Sequence, residues 1–324
     1  MPVSSERCLG RTAAAIECRI RYGSHVESLE VGSFTPSVVL DLAERTGRLR
    51  EAGLTVTETA VTSSPAQFRS LLDGDLDVAL TSPDNVLAYR FDPANPLGRL
   101  LDARIVAGID RGMGLGLYAR PGLTVADLDG AEVGVDVPGS GFALALYTLA
   151  DGLGVDRSRY RLVNLGSTPR RLEALLAGDC TTTMLNAGNE LLAERAGCVR
   201  LAAASDHLSP YLGTVVAVVG DKHLAAAARL STALVDTAAE IVSGGLTAEA
   251  AESATDRLGL DPELARQYVA RLRDPLAGLV PDGAVDLDAL ATLVRLRTTY
   301  LPSEDGSDPL AQALEERSGL VHRP

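Results

Sequence analysis

Short apolar runs alternate along the chain with stretches where apolar residues recur at helical spacing. This is the pattern of a largely parallel sheet whose strands are joined by crossover helices. The first run covers residues 29–34, and a helix at 36–44 follows with a stop at Gly47. Then come a strand at 55–61, a helix at 65–72 ended by Gly74, and a strand at 77–81. Residues 91–98, rich in Pro and Asn, read as loop; 105–109 and 114–119 are extended, and 121–130 makes a turn and a short helix. A second series begins with a strand at 132–137 and a helix at 141–151 that is apolar almost all round, hence well buried. It continues with a strand at 160–165, a helix at 170–177 stopped by Gly178, and a strand at 181–185. Beyond about residue 205 the pattern is mostly helical, with segments at 222–242, 247–258, 262–273 and 287–300. Residues 303–324 are polar and read as a loosely attached tail.

Two βαβ series and a helical C-terminal third predict an α/β fold of two lobes with a ligand cleft between them. The third section has too few strands for a sheet of its own, so it is expected to return to the first lobe. The boundaries that follow are an N-terminal extension at 1–26, a discontinuous lobe 1 at 27–110 and 205–302, lobe 2 at 111–204, and the tail at 303–324.

Composition narrows the partners. Thirty basic against 43 acidic residues give a net charge of −13, a field that repels nucleic acid and anionic membrane surfaces. No apolar stretch reaches the ~18 residues of a membrane span. Residues 1–20 carry Glu6, Arg7, Arg11, Glu17 and Arg19 where an export signal needs an apolar run, so the chain as written is expected to be cytoplasmic. The four cysteines, Cys8, Cys18, Cys180 and Cys198, form no CxxC pair, and the four histidines form no cluster with them. Neither a metal nor a cofactor is expected.

In open parallel sheets ligands sit beyond the carboxyl ends of the strands, where helix starts present free N–H groups. Four strand-to-helix joints here are built alike, namely Gly32 to Ser37, Thr81 to Asn85, Pro138 to Phe142 and Gly166 to Arg170. Each sets small hydroxyl residues beside Gly or Pro. Singly they are ordinary helix caps; together, two from each lobe, they can line a cleft suited to an anionic or polar small molecule. Asp84 beside Asn85 either caps its helix or orients a donor of the ligand. Ser140 lacks the first glycine of a nucleophile elbow, because Pro138 stands there. Residues 112–116 carry glycines at alternate positions and read as a segment crossing between lobes rather than a phosphate loop. Cys180 and Cys198 read as small packing residues.

The residues Ser64-Pro65-Ala66-Gln67-Phe68 to Leu71, Gly74 to Ala79 and Thr81 to Tyr89 resemble the first lobe of a type II periplasmic binding protein. The nearest branch is the one that binds nitrate, sulfonate, taurine and thiamine precursors. The second lobe is similar at Gly134-Val135-Asp136, Pro138 to Gly141, Arg171 to Gly178 and Met184-Leu185-Asn186. The resemblance spans roughly residues 27–245. It implies ligand contacts at Ser33, Phe34, Thr35, Thr81, Ser82, Asp84, Asn85, Gly139, Ser140, Gly141, Phe142 and Asn186, and closure of two lobes over the ligand.

Binding proteins that feed ABC transporters are exported or lipid-anchored, and Cys8, preceded by Glu6 and Arg7, makes no lipobox. An ABC permease is therefore an expected partner only for an exported form with a signal upstream of Met1. The expectation is a small-molecule-binding protein resembling a transporter's substrate-binding component. The alternative is a cytoplasmic enzyme of the same fold, a decarboxylase, desulfinase or related lyase or hydrolase, with His25, Asp84 or Tyr211 moving protons.

Overall fold

The computed structural model describes residues 26–303 and 306–322. His25, Cys8 and Cys18 lie outside them. The chain begins with β1 (Glu27–Ser33), α1 (Val38–Arg45), α2 (Arg48–Glu51), β2 (Leu54–Ala60), α3 (Ser64–Asp73), β3 (Val78–Thr81), α4 (Pro83–Phe91) and β4 (Ala103–Asp110). It continues through β5 (Gly116–Ala119), β6 (Glu132–Val135), α5 (Gly141–Gly152), β7 (Arg161–Asn164), α6 (Thr168–Ala177), β8 (Thr182–Leu185), α7 (Asn189–Arg195) and β9 (Val199–Ala203). Then follow α8 (Ala204–His207), β10 (Thr214–Val219), α9 (Leu224–Ser243), α10 (Thr247–Leu258), α11 (Pro262–Leu272) and α12 (Leu287–Tyr300).

The strands form two five-stranded sheets of one design, ordered β2-β1-β3-β10-β4 and β7-β6-β8-β5-β9. In the first, β1 runs parallel to β2, from Glu27 opposite Leu54 to Ser33 opposite Ala60, and β10 is antiparallel to both β3 and β4. In the second, β6 runs parallel to β7 and β8, while β5 is antiparallel to β8 and β9. The parallel strands end on one edge of each sheet, so α1, α4, α5 and α6 all start beside those edges.

Local chemistry fixes these starts. Ser37, Ser82 and Ser140 cap α1, α4 and α5 by accepting N–H bonds from Leu40, Asp84 and Ala143. Proline occupies the first turn of α3, α4 and α6, where its missing N–H costs nothing. One apolar cluster joins the halves: Val86 and Leu87 of α4, Leu144 and Leu149 of α5, and Leu290, Leu293 and Leu296 of α12. A second packs α1, α9, α10 and α11 on the outer face of the first sheet, and a smaller one backs the second sheet. Among the described residues no helix is long and apolar enough to cross a membrane.

The structure adds α7 and β9 in a stretch the sequence reading left unassigned, and differs from that reading at two further places. Residues 214–219, within the stretch read as mostly helical, form β10, which sits between β3 and β4. A run of six residues between Gly213 and Gly220 is the length of a buried strand, and length separates it from a helix where periodicity cannot. The tail is not loose. Leu310, Ala313 and Leu320 are buried, and the Ile105 and His322 N–H groups donate to the carbonyls of Leu320 and Ile105, at 2.8 and 2.7 Å. A few apolar residues spaced among many polar ones hide this docking from composition alone.

Candidate ligand-binding site

Between the sheets lies a cavity of about 130 Å³, lined by loops and helix starts from both halves. The first half supplies Ser33, Phe34 and Thr35 after β1, and Thr81, Ser82 and Asn85 around the start of α4. The second supplies Ser140, Gly141 and Phe142 at the start of α5, and Asn186 after β8. Ten of the twelve residues expected from the sequence therefore border one hollow; Asp84 and Gly139 do not.

Asp84 is fully buried behind the lining. Arg297 on α12 donates through Nη1 to Asp84 Oδ2 at 2.9 Å and to the Gly139 carbonyl at 3.3 Å, and through Nη2 to Asp92 Oδ2 at 3.0 Å. One guanidinium serves two carboxylates. Burial pushes the Asp84 carboxyl up against the pull of Arg297. Burial also works against the charge of Arg297, but Asp84 and Asp92 more than offset it and raise its pKa above the ordinary arginine value. Where a ligand contact was expected from the sequence, Asp84 instead anchors Arg297, which ties α12 to α4 and, through the Gly139 carbonyl, to the second half. A Cβ on Gly141 would stand 2.7 Å from the Asp84 Cβ, so only glycine lets the starts of α4 and α5 meet this closely.

Several of the other expected residues are held by hydrogen bonds. The Ser33 hydroxyl and the Ser37 N–H both donate to Glu58 Oε1, at 2.6 and 2.8 Å, and Glu58 is ion-paired with Arg257. Asn85 Nδ2 donates to Thr81 Oγ1 at 3.0 Å. Asn186 Nδ2 donates to the Gly112 carbonyl at 3.2 Å, and the Ala187 N–H to Met113 O at 3.0 Å. These last two bonds pin the second half to the segment that links β4 to β5. Met113 and Ala187 both have positive φ, 53° and 55°, and both border the cavity. The halves also meet at Thr62 and Ser64: the Ser167 N–H donates to Thr62 O at 3.0 Å, and the Ser64 N–H to Asp136 Oδ2 at 3.4 Å.

Several lining residues carry no role in the sequence reading. Asp136 and Arg171 belong to the family-like segments of the second lobe, and Asp136 stands one residue beyond the end of β6, where strand-end reasoning could have found it. Asp136 is 8% exposed, and its Oδ1 is buried without a hydrogen-bond partner. Arg171 is 2% exposed and donates to the carbonyls of Met184 and Gly166 and to Thr168 Oγ1. Burial pulls its pKa down to about 10, with Asp136 acting against that pull, so it remains charged at neutral pH. Asp110 accepts the Gly112 N–H at 2.7 Å. Tyr268 and Leu272 of α11, with Leu279 beyond it, close the apolar side together with Leu80, Ile109 and Met113. Their spacing on α11 signals only a buried helix face, so nothing in the sequence marks them as lining.

Of the proton-transfer candidates, Asp84 is held by Arg297, and Tyr211 is buried away from the lining with its hydroxyl unpartnered and its pKa pushed up by burial. Cys180 and Cys198 are free and buried, and burial pushes the Cys180 thiol up to about 11. Beneath the crossing segment, the fully buried Glu190 accepts the Gly188 N–H at 2.8 Å through Oε2 and leaves Oε1 unpartnered. Burial pushes its carboxyl up to about 8.

No family model matches the chain, and no curated protein does either. Solved structures do. The alkanesulfonate-binding protein SsuA from Xanthomonas axonopodis pv. citri, bound to MOPS, superposes with a TM-score of 0.67 at 17% identity, over 92% of this chain and 98% of that one. The ligand-binding component of an ABC-type import system from Staphylococcus aureus, with zinc bound, gives 0.69 at 14% identity, over 90% and 98%. The Candida albicans CA3427 gene product, described as exhibiting the generic periplasmic binding protein structural fold, gives 0.69 at 15%, over 91% and 96%. This chain has that fold.

Proposed function

We propose that this chain is a small-molecule-binding protein that encloses one ligand between its two halves, resembling the substrate-binding components of import systems. The observation that carries the reading is the cavity itself: loops of both sheets converge on one hollow of about 130 Å³ lined by hydroxyls and amides together with apolar side chains. The likeness to SsuA and to the import-system component supports it at the level of architecture. An import permease belongs to this proposal only as the partner of an exported form, which fractionation of cells expressing the full gene decides.

The test uses wild type and Thr35→Trp, which projects bulk into the hollow from a loop position. Small-molecule fractions of a cell extract are screened by thermal shift; a ligand at about 100 times its Kd stabilises by about 2.7 kcal/mol. A fraction that raises the melting point of wild type and leaves Thr35→Trp unmoved supports the reading. Equal shifts in both, or none in either, refute it. The catalytic alternative gains nothing from the geometry: among the described candidates, Asp84 and Tyr211 do not border the hollow.

A further inference from the structure

The charges around the hollow are unequal in a way that selects a ligand class. Among the described residues Arg171 is the one cation of the lining, and each of its three guanidinium nitrogens already donates to a carbonyl or hydroxyl of the protein. The lining carboxylates are Asp110 and Asp136. Helix starts attract anions, and those of α1, α3 and α4 already have one of the protein's own acids beside them. Glu58 receives the Ser37 N–H before α1, Asp84 stands in the first turn of α4 against Gly141, and Asp136 receives the Ser64 N–H of α3. A sulfonate or carboxylate would enter a cleft whose described lining has no free cation and two buried acids, at a desolvation cost that hydroxyl donors alone do not offset.

Asp136 shows the opposite deficit. The residue borders the hollow, and its Oδ1 is buried without a hydrogen-bond partner, the Ser64 hydroxyl being the protein donor that lies near the carboxylate. The groups facing it are Arg171 from α6, Ser64 from α3 and Tyr89 from α4. Burial pushes its pKa up, and Arg171 and Ser64 only partly oppose this. A donor brought by a ligand would complete its bonding.

We infer that the cavity takes a nitrogen-bearing molecule, uncharged or cationic, whose N–H group donates to the Asp136 carboxylate and whose apolar part lies against Leu80, Ile109, Met113, Tyr268 and Leu272. The inference rests on the ligand-binding reading above and narrows its ligand from anionic or polar to polar and donor-bearing. The capping hydroxyls of Ser82 and Ser140, which accept backbone N–H groups, keep their protons to donate to a ligand carbonyl or hydroxyl.

The experiment compares matched series on shared aliphatic and aromatic skeletons: amines and primary amides in one arm, sulfonates and carboxylates in the other. Binding is read by titration calorimetry on wild type and Asp136→Asn. The asparagine carbonyl can still accept the Ser64 N–H, and the unliganded melting point checks that the fold is retained; the wild-type comparison needs no variant. The expected result is that members of the nitrogen series bind wild type, that the matched anions do not, and that Asp136→Asn weakens the nitrogen series about 10-fold or more. Anions binding wild type as well as the amines, or amines binding Asp136→Asn undiminished, overturns the inference. If neither series binds while an extract fraction still stabilises wild type but not Thr35→Trp, the donor-bearing class is wrong and the binding reading stands. Failure of the extract test instead removes the binding reading itself.

Discussion

Replacing Glu190 by glutamine should make this protein more stable at pH 8 than the wild type while changing little at pH 5. The side chain is fully buried under the segment joining β4 to β5, with one oxygen bonded to the Gly188 N–H and the other unpartnered. Facing it are Glu194 from its own helix, Arg271 and Tyr268 from α11 and Tyr118 from β5. Burial dominates and raises the carboxyl from 4.5 to about 8. The sign follows from proton counting. Between about 4.5 and about 8 the folded protein holds this proton and the unfolded chain has lost it, so stability falls as pH rises, by a little over ~1 kcal/mol per unit. Its contribution is fully present below the unfolded value and is lost as pH rises through the folded one. Glutamine has no such proton. The advantage of Glu190→Gln over wild type should therefore grow by about 3–4 kcal/mol between pH 5 and pH 8. Asp84, Asp110 and Asp136 are also raised by burial and tilt the wild-type curve the same way, but they are common to both proteins and cancel in the difference. Urea unfolding at half-unit pH steps measures this directly. Parallel curves for the two proteins, with a constant gap, would show that Glu190 ionises in the folded state as readily as in the unfolded one.

Two further outcomes bear on how the halves are held. Arg297→Met removes the one guanidinium shared by Asp84 and Asp92 and should cost about 3–5 kcal/mol in denaturant unfolding, with a larger loss at pH 8 than at pH 5 because protonating the stranded acids relieves them; a loss under ~1 kcal/mol at both would mean the pair is not formed. Leu144→Ala opens a hole in the cluster where α4, α5 and α12 meet and should cost about 2–5 kcal/mol, readable as a lower urea midpoint with unchanged slope.

The four joints around the hollow were legible because serine, proline and glycine act locally: a cap, a first-turn ring and a close approach each need only neighbours in sequence. What Asp84 does was not. Its partner Arg297 lies 213 residues further along, on a helix whose periodicity reveals only which face is buried. Asp136 stands between these cases. Its place one residue beyond a parallel strand is a sequence fact, but that its Oδ1 lacks a donor depends on where α3, α4 and α6 come to rest. The tail shows the same limit, since Leu310, Ala313 and Leu320 find their burial in the cluster shared with α4, α5 and α12, and Val321 pairs with Ile105 of β4, far away in the chain.

The strand order also dictates a timetable. Every strand of the second sheet lies between residues 116 and 203, whereas the first sheet keeps an interior place for β10, which begins at Thr214. As the chain leaves the ribosome, the earlier-made strands β1 to β4 must wait with a gap among them while the later stretch already holds all it needs to assemble. The half translated first is completed last.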